Sequence, residues 1–183
     1  MSKVFIISGH SGSGKTTIAY ALLKKMSNLK KVVTCTTRSP RVGEVNGKDY
    51  HFLSKSEFEE NVKNNLMAEN EQYSGNYYGS RKEDVNKLLS SGNNVLFIVE
   101  TKGALNLKKV FTNAILIFIK APSVKELEQR LILRGDKIED VKKRINEVND
   151  ELDREKEFDY IIINDILENA ISEVEKIILN NSK

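Results

Sequence analysis

The chain has 183 residues, enough for one globular domain with a full core and too few for two ordinary ones. Apolar residues make up 39% and charged residues 30%, a balance that excludes a disordered chain. Lysine and arginine exceed aspartate and glutamate by only 29 to 26, and both signs are spread along the sequence, so no basic block marks a nucleic-acid partner.

In chain order, short apolar runs alternate with longer amphipathic ones. VFIIS (4–8), VVTCT (32–36), VLFIVE (95–100), AILIFIK (114–120) and YIIIN (160–164) read as strands, several apolar throughout, as in parallel sheets covered on both faces. Helices are predicted over 15–27, from the capping boxes Ser54-Lys55-Ser56-Glu57 and Ser123-Val124-Lys125-Glu126, over 81–90 with Gly92 as the stop, over 139–157 and over 167–180. The alternation predicts an α/β fold with a P-loop-type parallel sheet flanked by helices. Residues 37–79 break the rhythm: polar and rich in Tyr, Asn and Gly, they read as a small inserted lobe with short strands near 50–53, 67–73 and 76–78.

The single cysteine, Cys35, rules out an intrachain disulfide and a cysteine-only metal site, and with only His10 and His51 beside it zinc is not expected. No apolar run is long enough for a signal peptide or a membrane span, so the expectation is a cytoplasmic protein with no membrane and no obligate protein partner.

The strongest motif is the run Gly9-His10-Ser11-Gly12-Ser13-Gly14-Lys15-Thr16-Thr17, which fits G-x-x-x-x-G-K-[ST] between a buried strand and a helix of good formers. Its glycines let backbone N–H groups turn onto phosphates, and the helix N-terminus adds partial positive charge. Lys15 would reach the β- and γ-phosphates of ATP or GTP, and Thr16 would offer its hydroxyl to Mg²⁺. Further on, Arg38 and Arg41 flank Pro40. Two guanidinium forks with two tyrosines, Tyr50 and Tyr78, suit a phosphate monoester.

TTRSPRVGEVNGKDYHF (36–52), GNYYGS (75–80), APSVKELEQRL (121–131), LRGD (133–136) and YIIIND (160–165), in that order after a P-loop, resemble the guanylate kinase family over essentially the whole chain. The resemblance implies a single domain over 1–183, with a core at about 1–36 and 80–183, a GMP-binding lobe at about 37–79 and a lid at about 125–150. It implies transfer of the γ-phosphoryl group of ATP to GMP, and to dGMP, with Mg²⁺, in purine nucleotide metabolism. It also implies that Arg38, Arg41, Tyr50 and Tyr78 hold the GMP phosphate, and that Thr34, Glu69, Ser80 and Glu100 read guanine. A carboxylate matches the N1–H and N2–H₂ donors of guanine, and a site built on such bonds rejects an analogue lacking them by roughly 10⁴-fold.

Arg130, Arg134 and Arg144 lie in the segment similar to the family's lid, and Asn164 falls at a position near the donor nucleotide. The attacking GMP oxygen is already anionic, so catalysis needs cations and positioning and no dedicated general base. The lid and lobe are expected to close when both nucleotides bind. The departures from the family pattern are His10 for proline, Thr34 for serine, Ile98 and Glu100 in place of two aspartates, and a lid about one residue short before Arg144. Two other readings stay open: a non-catalytic guanylate-kinase-like binding module, favoured only by Ile98, and a kinase of another small phosphate acceptor.

Overall fold

The computed structural model describes residues 2–73, 75–151 and 154–182, apart from the side chains at 147 and 149–151. Five strands form a wholly parallel sheet: β1 (Val4–Gly9), β2 (Leu29–Lys31), β7 (Asn94–Ile98), β8 (Ile115–Lys120) and β9 (Tyr160–Ile163), in spatial order β2-β7-β1-β8-β9. Strand β1 shows why the run is apolar at every position. Phe5 and Ile7 face α1 (Lys15–Lys25) and α7 (Leu167–Asn181), packing with Ile18, Leu22, Val174 and Ile178. Val4 and Ile6 face the other way, toward Val85 of α3 (Lys82–Ser90) and Leu107 of α4 (Thr101–Val110). Both faces are covered, so alternation would expose nothing and is absent.

A second sheet, in order β4-β3-β6-β5, comprises β3 (Thr34–Thr36), β4 (Tyr50–Phe52), β5 (Met67–Tyr73) and β6 (Asn76–Arg81). Its small core gathers Cys35, Phe58 of α2 (Lys55–Lys63) and Met67, with Phe58 stacked on Tyr77 at 5.4 Å. The capping box at Ser54 forms as the sequence predicts: the Ser54 hydroxyl accepts from Glu57 N–H at 3.2 Å, and the Glu57 carboxylate accepts from Ser54 N–H at 2.7 Å. The remaining helices, α5 (Val124–Leu133) and α6 (Ile138–Glu151), pack together through Leu127, Ala121, Ile145 and Val148.

Three elements differ from the sequence reading. VVTCT is not one strand, because the chain changes sheets at Val32–Val33: Lys31 still pairs with Leu96, whereas Thr34 pairs with Tyr50. Val32 drops into the main core and Cys35 into the lobe core, so both halves are equally β-prone and the switch leaves no mark in the pattern. Helix α4 stands where no helix is predicted. Gly103 lowers its propensity, and in the fold it lets α4 pack close to β5, with the Glu71 carboxylate 2.9 Å from where a Cβ would be. The helix predicted over 139–157 ends at Glu151 and is followed by a 3₁₀ turn at Arg154–Glu157; residues 152 and 153 lie outside the described residues.

Candidate active site

The two sheets and the α5–α6 pair enclose a cavity of about 370 Å³. Its floor is the loop between β1 and α1. Gly9 takes φ +144° and lies so close to β8 that a Cβ would stand 2.1 Å from the Ile119 carbonyl. Gly14, at φ +94°, would place a Cβ 2.2 Å from the Asn164 amide nitrogen. Only glycine fits either position, and the loop turns its backbone toward the cavity as a result. Ser11, Gly12, Gly14, Lys15, Thr16 and Thr17 line the wall, whereas His10 and Ser13 are buried behind it.

Asn164 stands at the end of β9, next to the loop, as the sequence suggests. It is buried below the loop, not on the cavity wall, and its amide donates to the Ser13 carbonyl at 2.8 Å while its own N–H reaches the Lys120 carbonyl at 2.7 Å. Through that bond it braces the loop from below.

The cations converge from three sides, and Lys15, Arg38, Arg130, Arg134 and Arg144 are each held by an acid or a carbonyl. Lys15 Nζ donates to the Gly9 carbonyl at 3.0 Å and pairs with Glu100 at 3.1 Å. Arg38 Nη2 bonds both carboxylate oxygens of Glu44, at 2.8 and 2.9 Å, and its guanidinium stands 5.5 Å from the Tyr50 ring. Burial works against the Arg38 charge, but Glu44 more than offsets it and raises the pKa above the ordinary arginine value. Arg41 goes the other way: burial, then the charges of Arg134, Arg38 and Arg144, lower its pKa.

In the α5–α6 region, Asp136 accepts from Arg134 Nε at 2.9 Å and again from its Nη2, and pairs with Arg144 at 3.4 Å. Ser11 of the loop accepts from both arginines, at 3.3 Å from Arg134. Arg130 also lines the cavity, donating to Glu126 at 3.0 Å and to the Asn164 carbonyl at 3.1 Å.

Opposite the loop, the Tyr50 and Tyr78 rings meet edge-on at 6.3 Å. Burial, then Glu100 and Tyr78, push the Tyr50 hydroxyl up to about 12, so it stays a hydrogen-bond donor at neutral pH. A smaller recess opens beyond them, lined by Thr34, Glu69, Glu71, Tyr78 and Glu100. Glu69 is buried there and accepts from the Ser80 hydroxyl at 2.9 Å. Burial raises its carboxyl to about 7 against the opposing effect of Ser80.

A guanylate kinase family model matches residues 1–181. The chain belongs to the guanylate kinase family. It is 41% identical over 177 residues to the guanylate kinase of Clostridium perfringens (strain SM101 / Type A), covering 96% of this chain and 82% of that protein. With the guanylate kinase of Rickettsia felis it is 43% identical, covering 96% and 92% respectively. The crystal structure of guanylate kinase from Anaplasma phagocytophilum superposes with a TM-score of 0.82 at 27% identity, covering 98% of this chain and 85% of that one.

Against this guanylate kinase frame, Glu44 and Asp136 are two charged residues of the cavity that sequence reasoning passed over. Each lies inside a quoted motif, Glu44 in TTRSPRVGEV six residues after Arg38, and Asp136 in LRGD two residues after Arg134. A carboxylate within six residues of an arginine in a turn was the available signal. Ile98 lines both the cavity and the recess, so the first acid of the family's strand is replaced by an apolar wall.

Proposed function

We propose that the β1–α1 loop takes the ATP phosphates and that the second sheet takes GMP, with the α5–α6 arginines between them. The enzyme is an ATP:GMP phosphotransferase, forming ADP and GDP. The observation that carries this division is the joining of loop residues Ser11–Thr17 with Arg38, Arg41, Tyr50, Tyr78 and Arg134 in one cavity.

In the proposed mechanism a GMP phosphate oxygen attacks the γ-phosphorus of ATP. The new P–O bond forms as the bond to the β–γ bridging oxygen breaks, and ADP leaves with that electron pair. Arg38, Arg41 and the Tyr50 and Tyr78 hydroxyls bind the attacking phosphate, which needs no base because it is already ionised. Lys15 and the loop N–H groups neutralise the β- and γ-phosphates, and Arg130, Arg134 and Arg144 meet the charge that spreads over the transferred oxygens. Glu69 and Glu100 accept from guanine N–H groups, while Ser80 and Thr34 complete the recess. A deoxyribose meets none of these groups, so dGMP is an expected acceptor as well.

Among the described residues no group of three or more His, Cys, Asp or Glu could cage a metal. Thr16 is exposed on the cavity wall, and Glu100 is engaged by Lys15. This set fits Mg²⁺ held by the Thr16 hydroxyl and the phosphate oxygens of the nucleotide, because Mg²⁺ takes few protein ligands when phosphates are present. When bound, Mg²⁺ would supply charge neutralisation across the β- and γ-phosphates.

We place the enzyme in purine nucleotide metabolism in the cytoplasm, where ATP and GMP are free; no described helix is long and apolar enough to cross a membrane. An ADP-release assay with ATP–Mg²⁺ and each of GMP, dGMP, AMP, CMP and UMP tests the acceptor. Turnover is expected with GMP and dGMP, and equal turnover with AMP would overturn the guanine assignment.

A further inference from the structure

Among the cavity-wall side chains that take no part in the mechanism above are Tyr20 of α1, Lys31 at the end of β2, and Asp49 just before β4. The Lys31 ammonium donates to the Tyr20 hydroxyl at 2.9 Å and to the Asp49 carbonyl at 2.8 Å. The Tyr20 hydroxyl donates in turn to Asp49 Oδ1 at 2.6 Å. Asp49 Oδ2 accepts from Val45 N–H at 2.8 Å, and Asp49 N–H reaches the Val45 carbonyl at 3.0 Å. Asp49 therefore closes the turn that runs from Glu44 to Tyr50. The Lys31 ammonium also lies 5.9 Å from the centre of the Tyr50 ring.

These contacts join α1 and the end of β2 to the Glu44–Tyr50 turn across the Val32–Val33 crossing between the sheets. Tyr20 shares a helix with Lys15. Glu44 and Tyr50, at the two ends of the Asp49 turn, are the partners of Arg38. Burial lowers the pKa of Lys31, so placing an ammonium here works against folding unless its partners hold it. Moving this turn moves Glu44 and Tyr50, and through them Arg38.

We propose that Tyr20, Lys31 and Asp49 form a positioning tether that sets the distance between the acceptor-phosphate ligands and the phosphate loop; this rests on the assignment of GMP to the second sheet. None of the three is a catalytic residue. In-line transfer requires the reacting atoms within about 3–3.5 Å of each other, so slack on the acceptor side weakens productive GMP binding before it affects ATP.

The test is steady-state kinetics of Lys31→Met, Lys31→Arg, Tyr20→Phe and the Tyr20→Phe/Lys31→Met double variant, varying GMP and ATP separately. Lys31→Met is expected to raise KM for GMP about tenfold, equivalent to about 1.4 kcal/mol, and to move KM for ATP by less than about twofold. Lys31→Arg keeps the charge and should recover most of that loss. The double variant should be little worse than Lys31→Met, because the two side chains act as one unit. A fall or no change in KM for GMP, or equal rises in both KM values with a lowered melting temperature, overturns the tether. Wild-type turnover is measured alongside: its absence with GMP would fail the acceptor assignment, whereas normal wild-type turnover with an unaltered Lys31→Met KM would fail the tether alone.

Discussion

Glu69 gives the sharpest test of the guanine recess, because one carboxyl links stability, pH and recognition. Burial raises it from 4.5 to about 7, while an unfolded chain would ionise it near 4.5. Between those two values the folded protein holds a proton that the unfolded chain has released. The folded pKa is the higher one, so the relative stability is fully present below pH 4.5 and is lost as pH rises through about 7. At about 1.4 kcal/mol per tenfold in proton affinity, the loss is on the order of 3 kcal/mol. For a chain of this size, 1 kcal/mol moves the melting temperature by about 2–4 °C.

Glu69→Gln removes this titration and keeps the shape. The assay is thermal unfolding of both proteins from pH 5 to pH 8, taking the difference at each pH so that other groups cancel. The variant should gain on the wild type as pH rises, by an amount on the order of 6–12 °C at most. Saturating GMP should narrow the gap above pH 7, because guanine N–H groups stabilise only the ionised carboxylate. Parallel melting curves across the whole range would refute the burial argument. A narrowing of the same size with AMP would refute the recognition argument.

Lys15→Ala should lower kcat by roughly 10²-fold or more in the ADP-release assay if, as proposed, its ammonium neutralises the β- and γ-phosphates. It should also leave Glu100 without its partner at 3.1 Å. Asp136→Asn weakens the hold on Arg134 and Arg144 and is expected to reduce kcat about tenfold, with the melting temperature as the control for folding. Gly14→Ala forces a side chain into φ +94° and against the Asn164 amide, a cost of about 1–3 kcal/mol that calorimetry would register as a lower melting temperature. Asn164→Ala removes the bond to the Ser13 carbonyl and should raise KM for ATP by about three- to tenfold without a matching change for GMP.

The β1–α1 loop was legible because its chemistry is local: strand, glycines, lysine and helix follow one another within one short run. The strands of the parallel sheet were legible for a related reason, since burial on both faces writes itself as unbroken apolar sequence. What escaped was set by distant partners. The break between β2 and β3 depends on which sheet each half joins, and Val32 and Cys35 are both apolar whichever answer holds. Helix α4 packs against β5 at Gly103 and Glu71, and the segment TKGALNLKKV, with Gly103 near its start and no side-chain cap, carries no clear start signal. Asn164 shows the same limit within the site. Its position beside the donor loop was readable, but only the geometry separates a side chain that touches a nucleotide from one that braces the loop beneath it.

The acids of the site follow a rule that the cations alone do not reveal. Lys15 is paired with Glu100, Arg38 with Glu44, and Arg134 and Arg144 with Asp136. Concentrating so many cations in one cavity is unfavourable: after burial, the charges of Arg134, Arg38 and Arg144 lower the pKa of Arg41, and these carboxylates offset such repulsion. Each carboxylate also fixes a guanidinium or ammonium in one orientation, so the site is ordered by its own chain. A phosphate binds Arg38, Arg134 or Lys15 only in competition with Glu44, Asp136 or Glu100, or by adding to the donors they leave free. Affinity for the nucleotides is thus the difference between two sets of charge-assisted hydrogen bonds. On this account neutralising an acid can tighten ground-state binding of a nucleotide while slowing transfer, because the cation is then held more firmly by substrate and less firmly in its reacting position.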